Sequence, residues 1–256
     1  METTVKFGNR EIARLGLGTN RLTNASDRVE FIRAAVDAGI QMIDTAHLYT
    51  GGESERAIGS ALSPHSASTI VATKGGFQEA SADGLRAELA QSLASLQRDR
   101  IDLYYLHRLH PGTSVEHCVE VLKEFQDQGK IDHIGLSQVD VAQIARARKV
   151  ATVAAVQNHY NISEREHDDV VDYCTDQQIV FVPFFPLRGE GGGEVAEIAE
   201  THNATKKQIA LAWLLRRSLM MLPIPGTLSL EHLHENLKAF EINLTDAEFE
   251  AVARRG

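Results

Sequence analysis

Short β-rich runs alternate with amphipathic helical stretches along nearly the whole chain, and this alternation constrains the fold more than any other feature. The runs are Leu15–Gly18, Gln41–Asp44, Thr69–Lys74, Ile101–His107, Ile131–Ser137, Val153–Gln157, Ile179–Pro183 and Met220–Ile224, eight in all. Among them lie Val29–Ala38, Leu85–Leu96, Val115–Phe125, Val139–Arg148, Glu164–Thr175 and Lys206–Leu215, with apolar residues at helical spacing. A strand rejoins its sheet in parallel only through a crossover, so each helix returns the chain to the same sheet edge.

Such a sheet is either open or closed. An open, doubly wound sheet that binds a dinucleotide carries Gly-x-Gly-x-x-Gly after its first strand. Here Gly16-Leu17-Gly18-Thr19-Asn20-Arg21 lacks the third glycine, and the Gly189–Gly193 cluster has Glu194 where the last glycine should be. The 256 residues match the ~250 typical of a closed barrel. We therefore expect an α/β fold, a (β/α)8 TIM barrel, forming one domain over residues 1–256. No repeat, low-complexity tract or linker marks a boundary, and Gly189–Gly193 reads as a mobile loop at most. Upstream, Thr4–Gly8 and Arg10–Arg14 alternate with period two about Gly8-Asn9, which predicts an N-terminal β-hairpin outside the main sheet.

Composition narrows the partners. A formal charge of -9 without any Lys/Arg run gives no reason to bind nucleic acid or an anionic membrane, so a small molecule is expected. The N-terminal residues lack the apolar core of a signal peptide, and no apolar run approaches the ~18 residues of a membrane span. A cytoplasmic location is expected, in which the sequon Asn161-Ile162-Ser163 carries little weight. Cys118 and Cys174 fall in helical patterns without Cys-x-x-Cys spacing, which predicts buried free thiols and no metal site.

In a barrel the active site is built at the C-terminal ends of several strands. Asp44 ends the second run, Lys74 the third and His107 the fourth, while Tyr49 follows just after Asp44. Each alone has an ordinary explanation: a helix cap, a rim aromatic, a core histidine. A half-buried Lys74, however, needs a carboxylate, and Asp44 is its natural partner. A tyrosine hydroxyl titrates near ~10 in water, and a neighbouring ammonium favours its phenolate while a carboxylate beyond keeps that ammonium charged. Asp44, Lys74 and Tyr49 together can give a proton to a developing alkoxide or remove one in reverse. A neutral His107 can orient the same oxygen. This is the chemistry of carbonyl reduction, lacking only a hydride. A barrel using Lys74 as a Schiff-base nucleophile is the alternative from another enzyme class, but it leaves Asp44 and Tyr49 without roles.

The sequence resembles the aldo-keto reductases, NAD(P)-dependent (β/α)8-barrel oxidoreductases. The resemblance rests on Gly16–Thr19, on Ile43–Tyr49 with Gly52–Glu55, on Ala72–Lys74, Ile101–His107, Gly129–Ser137 and Val156–Asn158, and on Ile224–Thr227 with Glu235-Asn236. It implies the catalytic tetrad Asp44, Tyr49, Lys74 and His107, with His47 packing or lining the rim. It implies a nicotinamide dinucleotide, NADPH with NADH as the alternative, and a small carbonyl or alcohol substrate. By position, Ser137, Gln138 and Gln157 would hold the carboxamide, and Phe184 would stack on the nicotinamide. Pro186, Leu187 and Gly189 would follow the pyrophosphate, Gly18, Thr19, Asn20 and Asp44 would contribute beside them, and Ile224, Pro225, Gly226, Thr227, His232, Glu235 and Asn236 would hold the adenosine end.

The departures from the pattern are specific. Gln138 stands where the family usually has Asn, and Phe184 where it often has Tyr. Gly226 and His232 occupy places where many NADPH-preferring members have Lys and Arg, so a full cation is missing at each; Thr227, Ser229 and His232, with the start of the helix over Ser229–Phe240, remain as donors to a 2′-phosphate. The connection Pro111–Thr113 is brief, which implies an open, shallow mouth, with Leu48, Phe77, Tyr160 and Arg188 expected beside the substrate. A non-catalytic dinucleotide-binding redox sensor on the same fold is the other alternative, although the tetrad is intact.

Overall fold

The computed structural model describes residues 2–63, 69–189 and 192–254. The chain opens with the expected hairpin, β1 (Thr4–Phe7) paired antiparallel with β2 (Arg10–Ala13). Seven parallel strands follow in sequential order: β3 (Leu17–Gly18), β4 (Met42–Asp44), β5 (Ile70–Gly75), β6 (Ile101–Leu106), β7 (Ile131–Ser137), β8 (Val153–Gln157) and β9 (Val180–Phe181).

Residues 220–226 close the ring. On one side Phe181 N donates to Met220 O and Leu222 N to Phe181 O, both at 2.9 Å. On the other, Gly16 N donates to Pro223 O at 2.9 Å and Gly18 N to Pro225 O at 3.3 Å. The eighth stave is thus an extended segment joined by isolated bridges and not the regular strand expected over Met220–Ile224. Pro223 and Pro225 supply carbonyls but no N–H, so a full ladder cannot form. Gly18 makes the closure sterically feasible, since a Cβ there would lie 2.7 Å from Ile224 O.

Helices α1 (Ser26–Asp37), α2 (Glu53–Leu62), α3 (Ala82–Ser95), α4 (Val115–Asp127), α5 (Val141–Ala147), α6 (Asp168–Asp176), α7 (Gly193–Thr201), α8 (Lys206–Arg217), α9 (Leu230–Leu237) and α10 (Asp246–Ala253), with short 3-10 helices at Tyr49–Gly52 and Lys238–Glu241, complete the described elements. Each buries an apolar stripe, as α4 does with Val115, Cys118, Val119, Leu122 and Phe125. Polar caps set several starts: Asp140 with Gln143, Thr205 with Gln208 and Thr245 with Glu248 form reciprocal capping boxes. The expected helix over Glu164–Thr175 begins only at Asp168. Asn161 Oδ1 accepts from the backbone N–H of Ser163 and of Glu164, holding that stretch as a turn. Of the expected Gly189–Gly193 loop, Glu190 and Gly191 lie outside the described residues, and Gly193 already opens α7.

The barrel interior is filled by Met42, Ile70, Leu103, Tyr105, Val180, Leu222 and their neighbours, and Val5, Phe7 and Ile12 of the hairpin belong to the same cluster. The hairpin therefore plugs the N-terminal end of the barrel and leaves the C-terminal end open. Gly8, with φ 59°, lets its tip pass over His133, whose Nε2 would stand 2.7 Å from a Cβ. Buried Arg14 ties the hairpin to the end of α8 and to the closing segment by donating to Leu215 O at 2.6 Å and Met221 O at 3.2 Å. Among the described residues, no helix is long and apolar enough to cross a membrane.

Candidate active site

The open end gathers the four strand-end residues. Lys74 Nζ donates to Asp44 Oδ1 at 2.6 Å and to Thr45 O at 2.6 Å, and it lies 3.4 Å from the Tyr49 hydroxyl. The two charged side chains are only 1% and 3% exposed. Burial alone would drive a lysine proton off, but the charge of Asp44, with the hydrogen bonds to Asp44 and Tyr49, outweighs it and holds Lys74 above its ordinary range. Gln157 Nε2 donates to Asp44 Oδ2 at 2.8 Å, so both carboxylate oxygens are engaged. His107, whose backbone N–H donates to Gly75 O at 2.7 Å, places its ring centre 6.1 Å from that of Tyr49, edge-on. Burial, together with Lys74 and Arg108, lowers His107 to about 3, so the imidazole is neutral at physiological pH.

Behind these residues runs a chain of hydroxyls that sequence reasoning passed over. Buried Ser54, at the start of α2, lies 2.8 Å from both the Thr19 and the Thr45 hydroxyls and donates to Thr19 O at 3.1 Å. Thr19 Oγ1 in turn donates to Asp44 O at 2.8 Å. Ser54 therefore fastens the end of β3 to the end of β4, on the backbone that carries Asp44. A serine in the first helical turn ordinarily reads as a capping residue, which is why the sequence did not expose this link.

Above the four residues opens a cleft of about 760 Å3. Of the positions expected to hold a cofactor, Gly18, Thr19, Asn20, Asp44, Ser137, Gln138 and Gln157 line it. Phe184, Pro186, Leu187, Ile224, Pro225 and Gly226 line it as well, with Gly226 bridged to Gly18 and Phe184 bridged to His159. Gly189, Thr227, His232, Glu235 and Asn236 are not in its wall. Thr227 Oγ1 accepts from Ser229 N at 3.1 Å, and Ser229 caps α9, so both oxygens already serve the local turn. His232 projects from the exposed side of α9 and Asn236 is buried within it.

Arg21, Arg108, Arg188 and Lys207 also line the cleft, against the single carboxylate Asp44. Arg188, expected at the mouth with Leu48 and Phe77, lines the same cleft, its guanidinium 3.5 Å from the ring centre of Phe185, beyond β9. Tyr160 was expected there too and is instead core. Its hydroxyl donates to Asp168 at 2.5 Å and its ring packs against Phe181 and Trp213. Among the described residues no group of His, Cys, Asp and Glu is arranged to hold a metal ion.

The model of the aldo/keto reductase family matches residues 14–193 and 190–254. The chain belongs to that family. Among curated relatives, pyridoxine 4-dehydrogenase of Escherichia coli is 35% identical over 95% of this chain and 94% of its own. An uncharacterized oxidoreductase of Schizosaccharomyces pombe is 32% identical, covering 99% and 90%. A thermostable aldo-keto reductase crystallised with the inhibitor epalrestat superposes with a TM-score of 0.92 at 31% identity, over 100% of both chains. A Klebsiella pneumoniae aldo/keto reductase in complex with NADP and acetate gives 0.89 at 26% identity, covering 99% and 95%. The aldo-keto reductase fold and the reaction class of the family, NAD(P)-dependent carbonyl oxidoreduction, follow.

One departure in this aldo-keto reductase has a structural correlate. Gln138 has φ 57°, a left-handed conformation that asparagine adopts more readily than glutamine. Its backbone N–H donates to Gln157 O at 3.1 Å, which fixes its place beside Ser137.

Proposed function

We propose that the protein reduces an aldehyde or ketone with NADPH, and runs the reverse oxidation, with Tyr49 as the proton donor. The observation that carries this reading is the buried Asp44–Lys74 pair with the Tyr49 hydroxyl 3.4 Å from the ammonium, at the floor of an open cleft.

The cleft suits a nicotinamide dinucleotide. Its volume lies within the ~300–1,000 Å3 of small-molecule sites. Buried Ser137 and the amides of Gln138 and Gln157 offer hydrogen bonds near Asp44, and Phe184 adds a ring to the wall beside the end of β8. Arg188, next to Leu187 in the chain, and Lys207 bring cations into the cleft where the resemblance puts phosphates. Lys207 is the cation we assign to the role left open at Gly226, and solved relatives of this chain hold NADP or NADPH.

When bound, the nicotinamide supplies a hydride to the carbonyl carbon. Tyr49 gives its hydroxyl proton to the carbonyl oxygen as negative charge develops there. The Lys74 ammonium stabilises the phenolate left behind, and Asp44 keeps that ammonium charged and in place. Neutral His107 donates to the same oxygen without adding a competing charge. The open mouth lets solvent return the proton to Tyr49. Lys74 is a poor Schiff-base nucleophile here, because its nitrogen is protonated and engaged by Asp44 and Thr45. The free, buried Cys118 and Cys174 fit the cytoplasmic setting expected from the sequence.

Fluorescence titration of the purified protein with NADPH and then NADH tests the cofactor assignment. Saturable binding with NADPH the tighter ligand is expected. Absence of binding by either would refute it.

A further inference from the structure

This inference rests on the carbonyl-reductase reading and names the substrate class. Going round the barrel, the positions assigned to the dinucleotide follow β7, β8, β9, the closing segment and β3. The remaining arc, after β4, β5 and β6, carries Leu48, Tyr49, Phe77, His107 and Arg108, all in the cleft wall. Arg21, Arg188 and Lys207 stand on the dinucleotide side, where phosphates would occupy them. Arg108 stands apart, directly after His107.

The guanidinium of Arg108 lies 4.4 Å from the ring centre of Phe77, and that ring lies 4.9 Å from the ring of His107. The arginine thus sits over an aromatic ring that also packs, tilted by 58°, against the imidazole facing the carbonyl. Stacking occupies the guanidinium face and leaves its in-plane N–H donors free. Among the described residues Arg108 has no carboxylate partner, whereas Arg86, Arg98, Arg165, Arg216 and Arg217 are each paired with one. In a chain of net charge -9, an unpaired, oriented arginine at the substrate end of a cleft is a receptor for an anion.

We propose that Arg108, stacked on Phe77, grips an oxyanion at the far end of the substrate, so that the preferred substrates are aldehydes or ketones bearing a carboxylate or a phosphate. Phe77 and Leu48 supply the apolar wall for the body of such a molecule, which suits a planar one.

The test compares 4-carboxybenzaldehyde and 4-formylphenyl phosphate with the neutral methyl 4-formylbenzoate, in wild type and in Arg108→Met and Arg108→Lys. The ester is the more electrophilic aldehyde, so a wild-type preference for an anion would run against intrinsic reactivity. The expected result is a higher kcat/KM for one of the anions, an anion-to-ester ratio that falls about tenfold or more in Arg108→Met, and a smaller fall in Arg108→Lys. Added salt should erode the preference. Which anion leads separates carboxylate from phosphate. An anion-to-ester ratio that is the same in wild type and Arg108→Met overturns the proposal while leaving carbonyl reduction standing. If no aldehyde is turned over, the reductase reading fails. Calorimetric titration with 4-(hydroxymethyl)benzoate then decides: binding lost in Arg108→Met supports the anion site, and equal binding overturns it.

Discussion

Gln157 Nε2 donates to Asp44 Oδ2 at 2.8 Å, so a side chain expected to touch the nicotinamide carboxamide also holds the carboxylate that anchors Lys74. Cofactor site and proton-transfer site are therefore mechanically continuous: Asp44 is gripped by Lys74 through one oxygen and by Gln157 through the other.

That arrangement makes the ion pair a structural liability when only half of it is present. Lys74→Met leaves a buried carboxylate without its cation and should cost about 3–5 kcal/mol. The double variant Asp44→Asn/Lys74→Met should regain a large part of that loss. Chemical denaturation of wild type, Lys74→Met, Asp44→Asn and the double variant checks this, and additive losses in the double variant would show that the two charges are not coupled.

His107 gives a pH signature with a definite sign. Its native value of about 3 lies below the ~6.5 of an unfolded histidine. The unfolded chain therefore binds the proton first as pH falls, and stability contributed by the neutral ring is lost progressively between about 6.5 and about 3. Denaturation midpoints of wild type and His107→Gln at pH 7 and pH 4.5 should converge on acidification, because the variant lacks this term. A constant gap would mean that the imidazole titrates normally.

Lys207 is assigned to the phosphates at the adenosine end because it lines the cleft with Gly226. Lys207→Ala should weaken NADPH binding by about tenfold, a typical charge-assisted hydrogen bond. It should weaken NADH binding less, narrowing the preference between them. Equal weakening of both would move Lys207 to the pyrophosphate.

Ser54 joins Thr19 to Thr45 at the back of the site. Ser54→Ala leaves the buried Thr45 hydroxyl without its partner and Thr19 O without the serine donor, and should cost about 1–3 kcal/mol. Turnover should fall with it, since the backbone carrying Asp44 is no longer fastened. A thermal midpoint equal to wild type would show that the hydroxyls find other partners.

Much of this was legible in the sequence, for identifiable reasons. The alternation of strand and helix is a local signal, and the demand of a buried ammonium for a carboxylate is a general one, so the barrel and the Asp44–Lys74 pair could both be read from one chain. The closing segment was misjudged as a strand although Pro223 and Pro225 announced otherwise: the apolar pattern of Met220–Ile224 outweighed the missing donors. Tyr160 was misplaced because an aromatic residue just after a strand can turn to the core as easily as to the mouth, and its contacts with Asp168 and Trp213 are made only in the folded chain. Arg108 and Lys207 were not singled out at all. Exposed cations have no periodicity, and only the closed ring brings residues from β6 and α8 to one cleft.

The most direct test is NADPH consumption on adding an aldehyde, compared between wild type and Tyr49→Phe at equal cofactor saturation. Loss of the general acid should lower turnover by about 100-fold or more while NADPH binds as tightly as before. Comparable consumption by the two proteins would contradict the role given to Tyr49, and tight NADPH binding by wild type without turnover of any carbonyl compound would contradict carbonyl reduction itself.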